Sequence, residues 1–381
     1  MQLLKEELGI KIGVDLTMNL NNKSIKIAVI GGGNIGTQFA CKCASKGYTV
    51  NVYTSKPDLF DEELVIVDEL GNYITGKINK AVSNLKEAIN DCKIIFVTYP
   101  AFMLKKISDE MLPFIKSDMT ICVIPGTGGA EFAFKQCIQA GATLLGLQRT
   151  PSVSRLEKYG KRVRCEGLRD ELYISSLPNT KAKEFESFFS DLWEIPCSAM
   201  PNYLCVTLTP SNPILHTTRL KTLFDDYYNG KVYDSNPLFY GDWSNKSSEL
   251  LIACDEELQQ LCHKLNNLDL KYVRSLKIHY GSNTIDDMTK KISSIKSLHN
   301  LHSPMKKVEN GWIPDFESRY FTADFPYGLS IIESFGHIVD VSMPRIHETM
   351  MWYRQISGDK NMFNLSDYGI ITINDIYNFY Q

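Results

Sequence analysis

His216 lies in a sequence run that could position a histidine for proton transfer. His216 closes the run TPSNPILH, in which Asn212 is a good helix N-cap and Pro213 is favoured at the first helical position. His216 would then lie about one turn into a helix. An imidazole on a rigid helix can exchange a proton with a carbonyl or imine. A histidine packed in a core fits the same run equally well, and the spacing leaves both interpretations open.

A carboxylate that could orient this histidine lies in a second unusual run, SRYFTADFPYGL. Asp324 stands there among aromatic residues, flanked by proline and glycine, which is not typical of a surface charge. It could orient the imidazole of His216, or it could cap a helix that begins near Pro326. Arg319 in the same run offers a planar guanidinium to a substrate carboxylate.

A glycine-rich turn, GGGNIG, fits the G-x-G-x-x-G pattern of dinucleotide-binding proteins. Gly31 allows the tight turn, Gly33 lets the backbone approach a pyrophosphate, and Gly36 lets the helix pack closely on its strand. The helix then opens at Asn34 and Ile35, where free N–H groups and the helix dipole favour phosphate. The turn follows a β-rich run and completes a β-α-β unit, so the context supports binding of NAD(P)H.

The end of the second strand indicates which dinucleotide is bound. An NAD enzyme usually has a carboxylate there for the ribose hydroxyls, whereas this chain has Thr54, Ser55 and Lys56. Two hydroxyls and an ammonium suit a 2′-phosphate, so we predict a preference for NADP(H). If Lys56 is only a solvated turn residue, NAD(H) would serve as well.

Two further loops are candidates for the walls of the site. Tyr99 and Pro100 follow the buried run KIIFVT, and the loop IPGTGGAEF follows the run MTICVI. Ligands bind at the carboxyl ends of parallel strands, so both loops could lie against the dinucleotide or the substrate. Ordinary turns remain the alternative for each.

The elements that position these residues change character near residue 200. Before it, short β-rich runs alternate with helical patterns, which predicts a doubly wound, mainly parallel sheet with an inserted hairpin (LVIVDE and YITGKI). After it, helical patterns dominate. We therefore expect an extension over residues 1–23, an α/β Rossmann domain over 24–200 and an all-helical substrate domain over 201–381. The clearest predicted helices of the second half are 249–266, 269–280, 285–298, 328–335 and 344–357, with a long loop over 227–242.

Composition narrows the class of protein. The formal net charge is −3 and no long run of one sign occurs, which argues against nucleic acid or an anionic membrane as a partner. The ten cysteines are scattered without C-x-x-C pairs, so we expect buried free thiols in a reducing compartment and no metal site. No apolar run could span a membrane, and residues 1–23 lack the features of a signal peptide, so we expect a cytoplasmic protein. Met18 is a candidate alternative start.

Taken together, these segments resemble the octopine/nopaline (opine) dehydrogenase family. The resemblance rests on the glycine turn, on IPGTGGAEF, on TPSVSR at residues 150–155, and most specifically on SNPILH and SRYFTADFPYGL. The family is similar to the 6-phosphogluconate-dehydrogenase-like enzymes, in which a Rossmann domain precedes an all-helical domain and the substrate binds between them. Its members use NAD(P)H to condense an amino acid reductively with a 2-oxo acid.

The resemblance implies roles for particular residues. It makes His216 the catalytic histidine, Asp324 its acidic partner and Arg319 a substrate-binding arginine. It also places Asn212, Gln148 and Thr150 at the substrate, and fold analogy suggests a homodimer through the helical domain. The chain departs from the family pattern over residues 148–155, where a glutamate and an aromatic residue are usual; the expected aromatic is Val153.

Two other functions fit part of the sequence. One is a simple 2-oxo acid or ketone reductase of the ketopantoate-reductase type, which relies on a lysine in the helical domain, and no lysine here has so suggestive a context. The other is a sensor that binds NADPH without catalysis. The departures near Gln148 favour a sensor, whereas the presence of His216, Arg319 and Asp324 favours an enzyme.

Overall fold

A computed structural model describes residues 23–358 and 362–381, so most of the predicted extension, with Met18, lies outside the described residues. The first half alternates strands and helices as predicted. In chain order its elements are β1 (Lys26–Ile30), α1 (Asn34–Ser45), β2 (Thr49–Tyr53), β3 (Glu63–Val67), β4 (Tyr73–Lys77), β5 (Lys80–Val82), α2 (Leu85–Ile89), β6 (Cys92–Val97), α3 (Ala101–Met111), β7 (Thr120–Val123), α4 (Ala130–Ala133), α5 (Lys135–Gln139), β8 (Thr143–Leu147), β9 (Val153–Lys158), β10 (Arg162–Glu166), β11 (Leu172–Leu177), α6 (Glu186–Trp193) and β12 (Cys197–Ala199).

Eight of these strands form one sheet in the order β12-β11-β8-β7-β6-β1-β2-β5. All neighbouring pairs are parallel except β11 and β8. The inner strands are apolar on both faces because helices cover both, and Ile27–Ile30 of β1 are fully buried. The carboxyl ends of β1, β6, β7 and β8 therefore meet at one edge, and they bring the glycine turn, Tyr99 and Gln148 to it.

The predicted inserted hairpin is confirmed as β3 and β4, and it belongs to a second sheet. Strands β9 and β10, which the sequence did not predict individually, complete the order β4-β3-β10-β9. This sheet packs on α1 so closely that a Cβ at Gly76 of β4 would lie 2.3 Å from the carbonyl oxygen of Cys41. The small sheet thus fixes the helix that follows the glycine turn.

The second half is helical apart from one short hairpin that the sequence did not predict. Its elements are α7 (Leu204–Thr207), α8 (Ser211–Leu223), α9 (Asn245–Lys264), α10 (Leu276–Tyr280), α11 (Ile285–Ser293), β13 (Met305–Val308), β14 (Gly311–Pro314), α12 (Arg319–Thr322), α13 (Ser330–Ile338), α14 (Pro344–Ser357) and α15 (Ile373–Tyr380). A single π-helical turn, Phe325–Leu329, joins α12 to α13.

Three of the five helices predicted in this half agree with the structure to within a few residues, and the helix predicted over 285–298 ends early, at Ser293. The helix predicted over 269–280 is wrong, because only Leu276–Tyr280 is helical. The carboxylate of Asp269 accepts the N–H of Lys271 in a local turn, and the hydroxyl of Ser275 caps α10 by accepting the N–H of Ile278. Short polar side chains compete with helical bonds in this way. In the first half, two short helices, α4 and α5, meet at Phe134.

Two apolar cores lie on the two faces of the large sheet. One contains side chains of α1, α6 and the small sheet. The other contains side chains of α2–α5 and continues without a break into α8, α9, α13 and α14 of the second half. All ten cysteines are free thiols, and nine of them are buried. None of the helices that the structure describes is long and apolar enough to cross a membrane.

Candidate active site

The two residues predicted as an acid–base pair are in contact. His216 lies in α8, and its Nδ1 is 2.8 Å from Oδ2 of Asp324, 108 residues later in the chain. The His216 residue is 8% exposed. With a carboxylate at Nδ1, that nitrogen carries the proton and donates it to Asp324, which leaves Nε2 as the acceptor in the neutral ring. This arrangement fixes the tautomer of His216 and can stabilise its imidazolium form.

The chain turns tightly around Asp324. The residue immediately precedes the π-helical turn, and its carbonyl accepts the N–H of Leu329 at 2.8 Å. Isolated π turns are frequent at functional sites because they redirect side chains. Asp324 makes no side-chain capping bond, so the alternative in which it caps the helix near Pro326 is wrong.

The prediction that Asn212 caps α8 is also wrong. The helix begins one residue earlier, at Ser211, after Pro210, and has no side-chain cap. Asn212 is therefore the second helical residue, and its side chain is exposed at the cleft described below. Residues Pro213–Leu220 of the same helix are buried, so His216 is held rigidly even though the predicted cap is absent.

A tyrosine that the sequence did not indicate completes the environment of His216. The hydroxyl of Tyr240 lies 2.9 Å from Nε2 and donates to it. The Tyr240 residue is 6% exposed, and burial raises the pKa of its hydroxyl well above the usual range. The rings of Phe239 and Tyr320 lie 5.6 Å and 4.6 Å from the imidazole. The only sequence signal was the density of aromatic residues in the predicted loop over 227–242.

A buried arginine fixes the loop that carries Tyr240. Arg219 lies on α8 three residues after His216 and donates to the carbonyls of Leu238, Phe239 and Asp242 at 3.2, 2.9 and 2.7 Å. Burial lowers its pKa to about 10, so it remains charged at neutral pH. His216 and Tyr240 are thus tied to the same helix through different bonds.

A cleft of about 290 Å³ opens beside this pair, between the sheet edge and the helical half. Its lining includes four residues predicted at the substrate or as catalyst, namely Gln148, Thr150, Asn212 and His216, together with Tyr240. Gln148 donates from Nε2 to the carbonyls of Cys205 and Tyr272. Arg319 does not line the cleft; it is exposed, with its guanidinium carbon 6.0 Å from the ring centroid of Tyr320.

The glycine turn has the shape that a pyrophosphate needs. A Cβ at Gly36 would lie 1.8 Å from the carbonyl oxygen of Gly31, and Gly31 itself has a φ of +116°. Nothing lies within 4 Å of a Cβ built at Gly33, so the approach to that peptide is open. Oδ1 of Asn34 accepts the N–H of Leu156 in β9, which holds the side chain in place, and the backbone N–H groups of Asn34 and Ile35 at the helix start remain for a phosphate. The residues present fit a dinucleotide.

The residues after β2 lie beside this turn, in a different arrangement from that predicted. Thr54 is buried and its hydroxyl is 2.6 Å from that of Tyr159, so it is not free to meet a ligand. Ser55 and Lys56 are exposed, and the ammonium of Lys56 lies 5.8 Å from the ring centroid of Tyr159. At the end of β6, Tyr99 is half-buried and Pro100 is the exposed residue before α3.

A buried carboxyl group connects the loop after β7 to the helical half. Glu131 of α4 accepts hydrogen bonds from the hydroxyls of Thr207 and Tyr380, while its Oε2 has no partner among the described residues. Burial raises its pKa to about 7, against the opposing effect of the two hydroxyls. Glu131 lies on the sheet side of the interface and Tyr380 lies in α15, so this contact anchors α15 to the first half.

Comparison with known proteins agrees with this geometry. The α-helical domain of NAD/NADP octopine/nopaline dehydrogenases matches residues 199–357, and the N-terminus of NAD-dependent glycerol-3-phosphate dehydrogenases matches residues 26–135. Octopine dehydrogenase from Pecten maximus is 24% identical over 383 residues, covering 93% of this chain and 94% of the relative. The helical half of the chain therefore matches the helical domain of the octopine/nopaline dehydrogenase family.

Solved structures of a member of this family have the same fold. Octopine dehydrogenase with NADH and pyruvate superposes with a TM-score of 0.80 at 22% identity, over 93% of this chain and 98% of that one. The form with NADH and L-arginine gives 0.79 at the same identity and coverage. The expected order, a Rossmann-type sheet followed by a helical octopine dehydrogenase domain, is therefore confirmed.

Proposed function

We propose that this protein is a member of the octopine/nopaline dehydrogenase family and catalyses the NAD(P)H-dependent reductive condensation of an amino acid with a 2-oxo acid. The amine and the ketone form an imine with loss of water, and the imine carbon is then reduced while its nitrogen takes a proton. The product is a secondary amine that carries both carboxylates. The observation that supports this proposal best is the His216–Asp324 pair beside a cleft at the sheet edge that carries the glycine turn.

The protein's own part in this reaction is proton transfer and positioning. His216 exchanges a proton with the reacting nitrogen or oxygen, and Asp324 holds the ring in one tautomer and stabilises its charged form. Because Tyr240 is buried and its loop is fixed by Arg219, its hydroxyl stays on Nε2 and relays the proton between His216 and the cleft. Asn212, Gln148 and Thr150 contact the substrate, and Arg319 binds a carboxylate when the site closes around it.

The glycine turn and the loops beside it hold the dinucleotide. Gly31, Gly33 and Gly36 shape the turn, and the N–H groups of Asn34 and Ile35 face the phosphates. Tyr99 and Pro100 form the wall at the end of β6. When bound, NAD(P)H supplies the hydride that reduces the imine carbon.

We further propose that NADP(H) is the preferred dinucleotide. Ser55 and Lys56 are exposed at the end of β2, where they can meet a 2′-phosphate, and no carboxylate follows β2 directly. The buried Thr54 supports this site indirectly, by holding Tyr159 under the ammonium of Lys56. NAD(H) would lack the 2′-phosphate and gain nothing from Lys56.

Three coarser expectations complete the proposal. The domains divide at residue 200, directly after β12 ends at Ala199. The protein acts in the cytoplasm and forms a homodimer through the helical domain, by analogy with the fold. Sedimentation of the purified protein tests the dimer, since a monomer at micromolar concentration would contradict it.

The test of the reaction is oxidation of NADPH, followed by absorbance, with pooled 2-oxo acids in the presence and absence of pooled amino acids. Turnover that requires both pools supports reductive condensation, and dividing the pools then identifies the substrates. Turnover with 2-oxo acids alone would assign a simple ketone reductase instead. Tight NADPH binding without turnover in any combination would contradict the proposal and favour a sensor.

A further inference from the structure

Two arginines at the sheet edge face the same cleft as His216. Arg149 follows β8 and Arg169 follows β10, so the two lie on the wall contributed by the first half. Both line the 290 Å³ cleft together with Gln148 and Thr150. We call Arg149 and Arg169 the arginine pair. Neither was among the residues predicted from the sequence to contact the substrate.

No carboxylate neutralises the arginine pair within residues 23–358 and 362–381. Neither guanidinium takes part in an ion pair there, although the chain carries a net charge of −3. Burial and, to a smaller extent, the neighbouring charge of Arg169 lower the pKa of Arg149 to about 10. Two like charges are thus held together in a partly enclosed cleft, an arrangement that an anionic ligand would stabilise.

Most hydrogen-bond donors of the pair are unused. Arg149 donates from Nη1 to Nε2 of His279 at 2.7 Å, and Arg169 donates from Nε to the carbonyl of Thr150 at 2.8 Å. Each guanidinium has five N–H groups, so about four on each remain for a ligand. The two bonds that exist hold the side chains in place, which leaves their planar forks ready for a carboxylate.

The opposite wall of this part of the cleft is uncharged. His279 and Tyr280 come from α10 of the helical half. Burial and the charges of Arg149, Arg169 and Arg274 lower the pKa of His279 to about 3, so its ring is neutral at pH 7 and accepts from Arg149. Within the lining of the 290 Å³ cleft, the charged side chains are therefore those of the arginine pair, while Arg274 and Glu171, which have opposite charges, lie in the adjoining pocket.

Other arginines serve the carboxylates that both reactants necessarily carry. Arg319 and Arg155 both act on the hydroxyl of Tyr320, whose pKa is raised by burial and lowered by these two charges. The Tyr320 ring is 4.6 Å from that of His216. This second group of cations therefore lies near Tyr320, outside the lining of the 290 Å³ cleft, and we assign it to the carboxylates next to the imine. The arginine pair is additional to it.

We propose that the arginine pair is an anion subsite that recognises a further carboxylate, one that a substrate carries beyond the carboxylates at its reacting carbons. Dicarboxylic amino acids or dicarboxylic 2-oxo acids then fit the cleft, and cationic amino acids such as arginine and lysine are rejected by charge. This inference rests on the proposed function, since it names the substrate class of the same site.

The test compares charge classes of substrate in the wild type and in Arg149→Gln and Arg169→Gln variants. Glutamate, glutamine and lysine are each offered with pyruvate, and 2-oxoglutarate is compared with 2-oxovalerate, each offered with alanine. We expect glutamate or 2-oxoglutarate to have the highest kcat/KM. Each substitution should raise the KM of that dicarboxylate about 10- to 100-fold and change the KM of its neutral counterpart less than about 3-fold.

The two substrate arms distinguish the source of the carboxylate, because only the arm that uses the subsite responds to the substitution. Arg162→Gln is the matched control. Arg162 is an exposed arginine of β10 whose guanidinium pairs with Glu157 at 2.8 Å, away from the cleft. A wild type that prefers lysine, or substitutions that slow all substrates equally, would overturn the subsite.

Failure of the subsite and failure of the function are separable by direct binding. If no pair of substrates is condensed, the proposed function is lost, and calorimetry with glutarate in the presence of NADPH still examines the subsite. Binding of glutarate that weakens at least 10-fold in Arg149→Gln and is unchanged in Arg162→Gln supports the anion subsite. Binding that is absent or insensitive to Arg149→Gln would overturn it.

Discussion

Tyr240 donates its hydroxyl to Nε2 of His216, the ring nitrogen opposite the one that faces Asp324. Both ring nitrogens of His216 are therefore hydrogen-bonded. The Asp324 carboxylate at Nδ1 can stabilise a positive charge on the ring, and the Tyr240 hydroxyl at Nε2 can transfer a proton. We expect Tyr240→Phe to lower turnover about 10²-fold while NADPH affinity stays unchanged. Tyr228→Phe, an exposed tyrosine in the same loop, is the control. Full activity in Tyr240→Phe would show that the substrate displaces the hydroxyl.

Asp324→Asn should abolish most turnover without unfolding the protein. The amide cannot stabilise an imidazolium, and it can leave the wrong ring nitrogen protonated, so we expect a loss of about 10² to 10⁴-fold in kcat. His216→Ala should lose a similar factor, and the double variant should lose little more, because the two residues act as one unit. His263→Ala, an exposed histidine in α9, should be silent. A loss of kcat in the double variant equal to the product of the two single losses would show that His216 and Asp324 act independently.

Alanine substitutions at Gly33 and Gly36, two glycines of the same turn, should have different effects. Gly33→Ala places its Cβ in open space, so we expect an unchanged Tm but loss of NADPH binding because the methyl group blocks the pyrophosphate. Gly36→Ala forces a Cβ against the carbonyl of Gly31, so the melting temperature itself should fall. Differential scanning fluorimetry with and without NADPH measures both effects. Normal NADPH binding by Gly33→Ala would place the pyrophosphate elsewhere.

The choice of dinucleotide should depend on Lys56. Lys56→Glu places a carboxylate beside the proposed 2′-phosphate, so the dissociation constant of NADPH should rise at least 10-fold and that of NADH should change little. The control is Lys116→Glu, since Lys116 is exposed at the amino end of β7, at the opposite edge of the sheet. If Lys56→Glu weakened the binding of NADPH and NADH equally, the proposed preference for NADP(H) would be wrong.

Stability should fall with rising pH because of Glu131. Its pKa is raised by burial to about 7 from an ordinary value of 4.5, so the folded protein holds a proton that the unfolded chain releases. This contribution is complete below pH 4.5 and is lost as the pH rises towards 7, by about 3 kcal/mol at most. The Tm of the wild type should therefore fall relative to that of Glu131→Gln between pH 5 and pH 8. A constant difference would contradict the raised pKa.

The parts of the site that the sequence predicted are those with local signals. The glycine turn is contiguous in the sequence. His216 and Asp324 are 108 residues apart, but each lies in a short run of unusual composition. Tyr240 and the arginine pair had no such signal, because their meaning comes from contacts between distant segments. Arg149 meets His279 across 130 residues. No periodicity in the sequence encodes that distance.

The sequence-based predictions of a helix cap at Asn212 and of a phosphate-binding hydroxyl at Thr54 were wrong. Asn212 followed by Pro213 favours a cap, but α8 begins at Ser211, Asn212 makes no capping bond, and the buried face of the helix runs from Pro213 to Leu220. Thr54 was predicted to meet a phosphate from its position at the end of β2, yet Tyr159, 105 residues away, takes its hydroxyl. In both cases the residue type was suggestive, and for Thr54 a tertiary contact determined its role.

The contact between Glu131 and Tyr380 has a consequence for how the chain reaches its native state. The two residues are 249 positions apart, and the carboxyl group is fully enclosed only when α15 is in place. During synthesis from the N-terminus, the sheet emerges long before α15. The surface that α15 will cover therefore stays in contact with water, and the carboxyl group of Glu131 stays ionised. The first half can therefore form its sheet early on the ribosome, but Glu131 reaches its enclosed, hydrogen-bonded state only after α15 has been released.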